Sequence, residues 1–196
     1  MQNQRTKNGL IEIRWHGRGG QGVVTAGKLL AETALEAGRY FQAFPDYGPE
    51  RSGAPIRAFT RLSNAPIHIH SQIEHPDVVI VLDDTLLGSV DVTQGLKEDG
   101  LLIVNTARSP AEVRSILDFA GGRVVTVDAT RIALEELGRE ITGGPMLGAF
   151  ARATGLFTVE ELAEQTRRRF ARKLSPEMIE ANVRAIRRAS EEAEEG

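Results

Sequence analysis

The chain reads as an α/β protein: a Rossmann-like, mostly parallel sheet with an antiparallel hairpin added and a helical C-terminal segment. Three observations predict this. The runs at residues 78–82, 101–104 and 124–127 are continuously apolar, as strands buried on both faces of a parallel sheet are. Helical patterns separate those runs, and strands alternating with helices are the mark of an α/β sheet. A glycine-rich turn, Gly17-Arg18-Gly19-Gly20-Gln21-Gly22, joins a strand pattern to a helix pattern, the context in which G-x-G-x-x-G carries meaning.

Taken in order, Leu10, Ile11, Ile13 and Trp15 outline the first strand, and Val23, Val24, Leu29, Leu30, Ala34 and Leu35 the first helix, which Gly38 ends. Residues 40–45 form a second strand, and the proline- and glycine-rich stretch 46–55 reads as a loop. Alternation over 56–62 and again over 67–70, across a Ser63-Asn64-Ala65-Pro66 turn, predicts a hairpin. Short helices are expected over 86–96 and 110–119. The final third is helical: 129–137, 146–153, 159–170 and 176–192. Thr158-Val159-Glu160-Glu161 is a capping-box pattern, and Ser175-Pro176-Glu177 supplies an N-cap, a first-turn proline and an acid. Met178, Ile179, Val183 and Ile186 give the last helix one apolar stripe, and residues 191–196 read as a frayed acidic tail. A chain of 196 residues suits one domain, 1–196, divided into a sheet core (1–128) and a helical part (129–196).

Composition excludes several classes. A formal net charge of -3 argues against a generally nucleic-acid-binding surface. The absence of cysteine removes thiol nucleophiles and cysteine-ligated iron–sulfur clusters from this chain. No run approaches the ~18 apolar residues of a membrane helix, and residues 1–9 lack an apolar signal core, so a cytoplasmic location without membrane attachment is expected.

The glycine turn is the chief candidate site. Glycines admit a bulky anion, and the helix behind them offers unpaired N–H groups and partial positive charge, a seat for phosphate; the competing reading is a tight turn with Gly22 easing packing. Val23-Val24 replaces the Lys and Ser/Thr of a P-loop, so machinery for ATP hydrolysis is missing. The acid expected to grip a dinucleotide ribose about twenty residues on is missing too: Gln42-Ala43-Phe44-Pro45 ends that strand. Arg18 and Lys28 are cations near the turn. His16 is expected to be a hydrogen-bonded structural residue, and His68, His70 and His75 lack the spacing of metal ligands. Asp83-Asp84 closes a strand and is expected to cap the helix near Thr85 rather than hold ribose or metal. Asn105-Thr106 stands equally well as a ligand donor or as a cap for the helix at Ser109-Pro110. Arg167-Arg168-Arg169, with Arg172 and Lys173, reads as a solvated face or a docking surface for an acidic partner. No nucleophile–base pair emerges, so no catalytic residue and no metal site are assigned.

Together these residues resemble the gamma subunit of the 2-oxoacid:ferredoxin oxidoreductases, especially the pyruvate/2-ketoisovalerate type. The likeness covers nearly the whole chain. It rests on His16 through Gly22, on Phe44-Pro45-Asp46-Tyr47-Gly48-Pro49-Glu50-Arg51-Ser52-Gly53-Ala54-Pro55, and on Ser71-Gln72-Ile73 followed by Pro76-Asp77. Asn105-Thr106 before Ser109-Pro110, Val127-Asp128-Ala129-Thr130 and Met146-Leu147-Gly148-Ala149 add to it. The resemblance implies a subunit of a complex that oxidatively decarboxylates a 2-oxoacid such as pyruvate to acyl-CoA and CO2. Thiamine diphosphate, Mg2+ and [4Fe-4S] clusters are then expected in alpha, beta and delta-type partner subunits only, with ferredoxin or another acceptor reached through them. This chain is expected to help bind coenzyme A and complete the assembly; the alternatives are a purely structural scaffold subunit of that complex or a free-standing dinucleotide-binding protein, against which the missing ribose acid argues. The residues expected to line the coenzyme A site are Gly17, Arg18, Gly19, Gly20, Gln21 and Gly22, with Glu50 and Arg51.

Overall fold

The computed structural model describes residues 9–46 and 53–196. A seven-stranded mixed sheet runs β2-β3-β1-β4-β5-β6-β7. Its strands are β1 (Ile11–Arg18), β2 (Tyr40–Asp46), β3 (Pro55–Ser63), β4 (Val78–Val81), β5 (Leu101–Asn105), β6 (Arg123–Val127) and β7 (Glu194–Glu195). The helices are α1 (Val23–Glu36), α2 (Pro110–Leu117), α3 (Ala129–Leu137), α4 (Gly143–Thr154), α5 (Val159–Phe170) and α6 (Pro176–Glu192). β1, β4, β5 and β6 are parallel neighbours, while β2, β3 and β7 join antiparallel at the two flanks.

Strand alternation sorts the core into two layers. Ile13, Trp15, Ile80, Leu82 and Ile103 face α1, α4 and α6, where they meet Leu29, Leu30, Met146, Phe150 and Ile186. Val79, Val81, Leu102 and Val104 face the other way, against α2 and a short 3-10 helix at Asp84–Gly88 that contributes Leu86 and Leu87. The central strands are apolar on both faces because both faces are covered, as their unbroken runs predict.

Several expectations are corrected. The antiparallel ribbon is β2 with β3, in register from Tyr40 opposite Ser63 to Asp46 opposite Arg57. Residues 67–70 join no strand, despite their alternation. Arg61 explains why: its guanidinium donates to the carbonyl of Ser71 at 2.8 Å, tying this segment across the sheet as a strap. The acidic tail is not frayed, because Glu194–Glu195 pair with β6 and Arg123 grips Glu195. Only one 3-10 turn forms where a helix over 86–96 was expected. α4 begins three residues before Met146, at Gly143, with Pro145 in its first turn. The capping box of α5 and the Ser175 cap of α6 form as their patterns predict.

Candidate functional site

β1 feeds α1 and the chain moves toward β2 on one side; β4 and its successors build out on the other. The crevice beyond the C-terminal ends of β1 and β4 is therefore a topological switch point, where open α/β sheets bind ligands. Residues 18–22 leave β1 there, and residues 82–85 leave β4.

The six residues of the glycine turn divide by environment. Gly17 is buried within β1, where a Cβ would stand 2.5 Å from Val23 Cγ2 and 3.2 Å from Leu82 Cβ. Its lack of a side chain serves packing. Gly19 and Gly20 are exposed, with open space around any added Cβ, and Gly20 has φ 95°. Gly22 has φ 89° and caps α1 in the left-handed conformation that glycine adopts without penalty. Packing requires glycine at position 17 and a left-handed backbone favours it at 20 and 22, while position 19 imposes neither constraint.

Side chains latch this turn to β4. Gln21 Oε1 accepts from the Arg18 N–H at 2.8 Å, and its Nε2 donates to Asp83 Oδ2 at 2.7 Å. The Arg18 guanidinium lies 3.2 Å from the same carboxylate and donates to Thr85 Oγ1 and the Gly53 carbonyl. Asp83 Oδ1 accepts from the Thr85 N–H at 3.0 Å, the expected cap. Burial pushes the Asp83 carboxyl up, but hydrogen bonds from Thr85 and Gln21, with the Arg18 charge, outweigh that and hold it below the usual range. Arg18 and Asp83 thus neutralise each other at the mouth of the crevice.

What remains uncompensated is helical. α1 has no side-chain cap and no acid in its first turn, and neither has α4. By contrast α2, α3, α5 and α6 all carry side-chain caps. The two uncapped N-termini meet: the Gly143 N–H donates to the Gln21 carbonyl at 3.0 Å, and a Cβ on Gly143 would strike the Gly22 carbonyl at 2.7 Å. Two positive helix ends therefore meet at Gln21 and Gly22, next in the chain to exposed Gly19 and Gly20. The sequence pattern starts this helix at Met146, so the approach of its N-terminus to the glycine turn was not visible; Pro145, suited to a first helical turn, was the available signal.

The other candidates resolve to structural roles. His16 is buried and accepts from Arg14 Nε at 3.0 Å. Burial first, then the Arg14 and Arg57 charges, partly opposed by Asp91, lower its pKa to about 3, so it is a neutral acceptor. Asn105 donates to the Leu82 carbonyl and Thr130 Oγ1, and accepts from the Thr130 N–H; Ser109 caps α2 instead. Arg167, Arg168 and Arg169 pair with Glu180, Glu164 and Glu32 of the same chain. Lys28 is exposed on α1. Glu50 and Arg51 lie outside the described residues. Among the described residues no group of three or more His, Cys, Asp or Glu is placed to hold a metal ion, and no helix is long and apolar enough to cross a membrane.

Residues 12–192 match the profile of the pyruvate ferredoxin/flavodoxin oxidoreductase family. The chain belongs to that family. It is 52% identical over 185 residues to the pyruvate/ketoisovalerate oxidoreductases common subunit gamma of Pyrococcus furiosus, covering 94% of this chain and 98% of that one. The crystal structure of pyruvate oxidoreductase subunit PORC from Thermotoga maritima superposes with TM-score 0.85 at 46% identity, over 97% and 99% of the two chains. The fold recurs in a 2-oxoglutarate:ferredoxin oxidoreductase from Magnetococcus marinus, solved with 2-oxoglutarate, coenzyme A and succinyl-CoA bound (TM-score 0.75, 18% identity, 95% of this chain and 31% of that one). The chain is a gamma-type subunit of a multi-subunit oxidoreductase, and the crevice described above lies within the span that defines the family.

Proposed function

We propose that this chain is the coenzyme A-holding, assembly-completing gamma subunit of a 2-oxoacid:ferredoxin oxidoreductase acting on pyruvate or a related 2-oxoacid. The observation that carries the reading is the meeting of two uncapped helix N-termini at Gln21 and Gly22, beside exposed Gly19 and Gly20, where open space leaves room for a bulky anion against the backbone. Coenzyme A brings phosphates that such a seat fits and a thiol that accepts the acyl group. Gly19, Gly20 and the first-turn N–H groups of α1 would hold the phosphates, with Gly17 and Gly22 shaping the turn. Gln21 and Arg18 keep the turn's shape by binding Asp83, so that charge compensation at the mouth is complete before any ligand arrives. Anchoring the nucleotide end fixes the reach of the thiol, a positioning contribution rather than proton chemistry. Thiamine diphosphate and its Mg2+ belong to partner chains in this reading, and so do the clusters, since this chain has no cysteine to ligate them.

Gly19→Glu tests it in the assembled complex. Gly19 does not share the left-handed backbone of Gly20, and an added side chain meets open space, so the fold tolerates the change. The expected result is a KM for coenzyme A raised at least about tenfold by carboxylate–phosphate repulsion. Thermal midpoint and thiamine content stay unchanged. An unchanged KM assigns the turn to packing alone, for which the fit of Gly22 against Gly143 is the structural argument.

A further inference from the structure

A cavity of about 190 Å³ opens at the edge of the sheet opposite the glycine turn, beneath the N-terminal ends of β1, β4, β5 and β6. It is remote from the glycine turn by the length of the strands, so nothing bound there touches the crevice described above.

The charged groups on its rim divide into those already committed and those that are not. Asp77 is saturated, by Lys97 Nζ at 2.6 Å and by the Glu12 N–H at 2.8 Å. Arg123 holds Glu195 and the Ala153 carbonyl. Arg39, Asn64 and Asp99 have no hydrogen bond or ion pair from their side chains among the described residues.

Arg39 is the informative one. It is half-buried, its N–H is fixed to the Ala34 carbonyl at 2.9 Å, and its guanidinium lies 5.5 Å above the ring of buried Phe157. A cation–π contact engages the charge and leaves the guanidinium N–H groups without an acceptor among the described residues. A cation so immobilised, with its donor fork unspent, is preorganised for a carboxylate. Asp99, an acid on the same rim with no partner among the described residues, asks for a cation. Ile11, Val78, Leu101 and Leu156 add aliphatic surface to the same lining.

We infer that this cavity binds a small aliphatic α-amino acid, its carboxylate on Arg39, its ammonium toward Asp99 and its side chain on the aliphatic lining. An inorganic anion leaves the aliphatic lining and the acid unanswered. The site would let the level of an amino acid bear on the subunit without competing at the glycine turn, and it stands whether or not that turn holds coenzyme A.

Calorimetric titration of the full chain with leucine and valine, and with the 2-oxoacid counterpart of leucine, tests this. Saturable binding of an amino acid is expected, with its oxoacid weaker. Arg39→Gln should raise the Kd at least about tenfold, the loss of a bidentate charged pair. Asp99→Asn should abolish the preference for the amino acid over the oxoacid. Asp99 is exposed and has no side-chain partner among the described residues, so that variant folds even if Arg39→Gln does not. No saturable binding of either amino acid at about 20 mM, a concentration that reveals even weak sites, overturns the inference. So does binding that both substitutions leave unchanged.

Discussion

Arg61 has no exposed side-chain surface, and its guanidinium is heavily used. It pairs with Glu12 at 2.8 Å, donates to Gln42 at 3.2 Å and to the Ser71 carbonyl at 2.8 Å, and lies 5.6 Å above the Phe44 ring. A charge taken out of water this completely is tolerable only because every direction offers an acceptor. Arg61→Met removes the donor and leaves Glu12 and the strap carbonyls unsatisfied, which costs on the order of 3 kcal/mol. The variant should show a lower urea midpoint and faster amide exchange over residues 67–73. Unchanged exchange there would mean that the strap is held by something else. Nothing in the sequence distinguishes Arg61 from Arg57, two rows along β3; Arg57 remains half-exposed on Asp46, and only the strap overhead separates their fates.

At the scale of elements, α4 and α6 pack backbone to backbone. Gly148 makes this possible: a Cβ there would lie 2.0 Å from the Ile186 carbonyl oxygen and 3.1 Å from the Ser190 nitrogen. Gly148→Ala must push the helices apart or break the contact, and neither neighbour is a flexible side chain. The expected destabilisation is about 2–3 kcal/mol, measured as a shift in urea or thermal midpoint, although alanine is the better helix former. A stabilised variant would show that the helices are free to separate. Around this contact the exposed face is laced by arginines. Arg188 reaches Glu135, Glu136 and Glu192, and its hydrogen bonds to Glu135 and Glu136 are the leading causes that raise its pKa. Helix positions were legible because capping chemistry is local: α5 and α6 span the residues that their Thr158 and Ser175 signals mark. The false hairpin shows the limit of such reasoning. Alternation over 67–70 describes side chains that suit a strand, but a strand needs a partner edge, and β2 had already taken the free edge of β3.

For the molecule as a whole, the buried Arg14–His16 pair sets a pH dependence of folding. With its folded pKa lowered to about 3 against an ordinary 6.5, His16 takes up a proton in the unfolded state first. Unfolding therefore becomes easier as pH falls through 6.5, by up to about 1.4 kcal/mol per unit, until the folded form also protonates near 3. Between pH 6.5 and 5 ordinary carboxylates are ionised in both states, so this histidine dominates that window. The urea midpoint should fall from pH 7.5 to pH 5, and His16→Gln should flatten the slope. A variant with the parental slope would place the titrating group elsewhere.

The sheet's central strands, the glycine turn, the capped helices and the absence of any cluster-binding cysteine were all readable from the amino acids alone. Each is fixed by neighbours in sequence: burial on both faces imposes apolar runs, a turn imposes glycine, and a helix end imposes its cap. Tertiary structure alone decided the rest. It set the uncapped end of α4 beside that of α1, spent Arg18 on Asp83, laid residues 67–73 across the sheet, and left Arg39 stacked with its donors free. Those outcomes depend on which groups meet across long sequence separations, and a side chain carries no local record of the partner that folding brings to it.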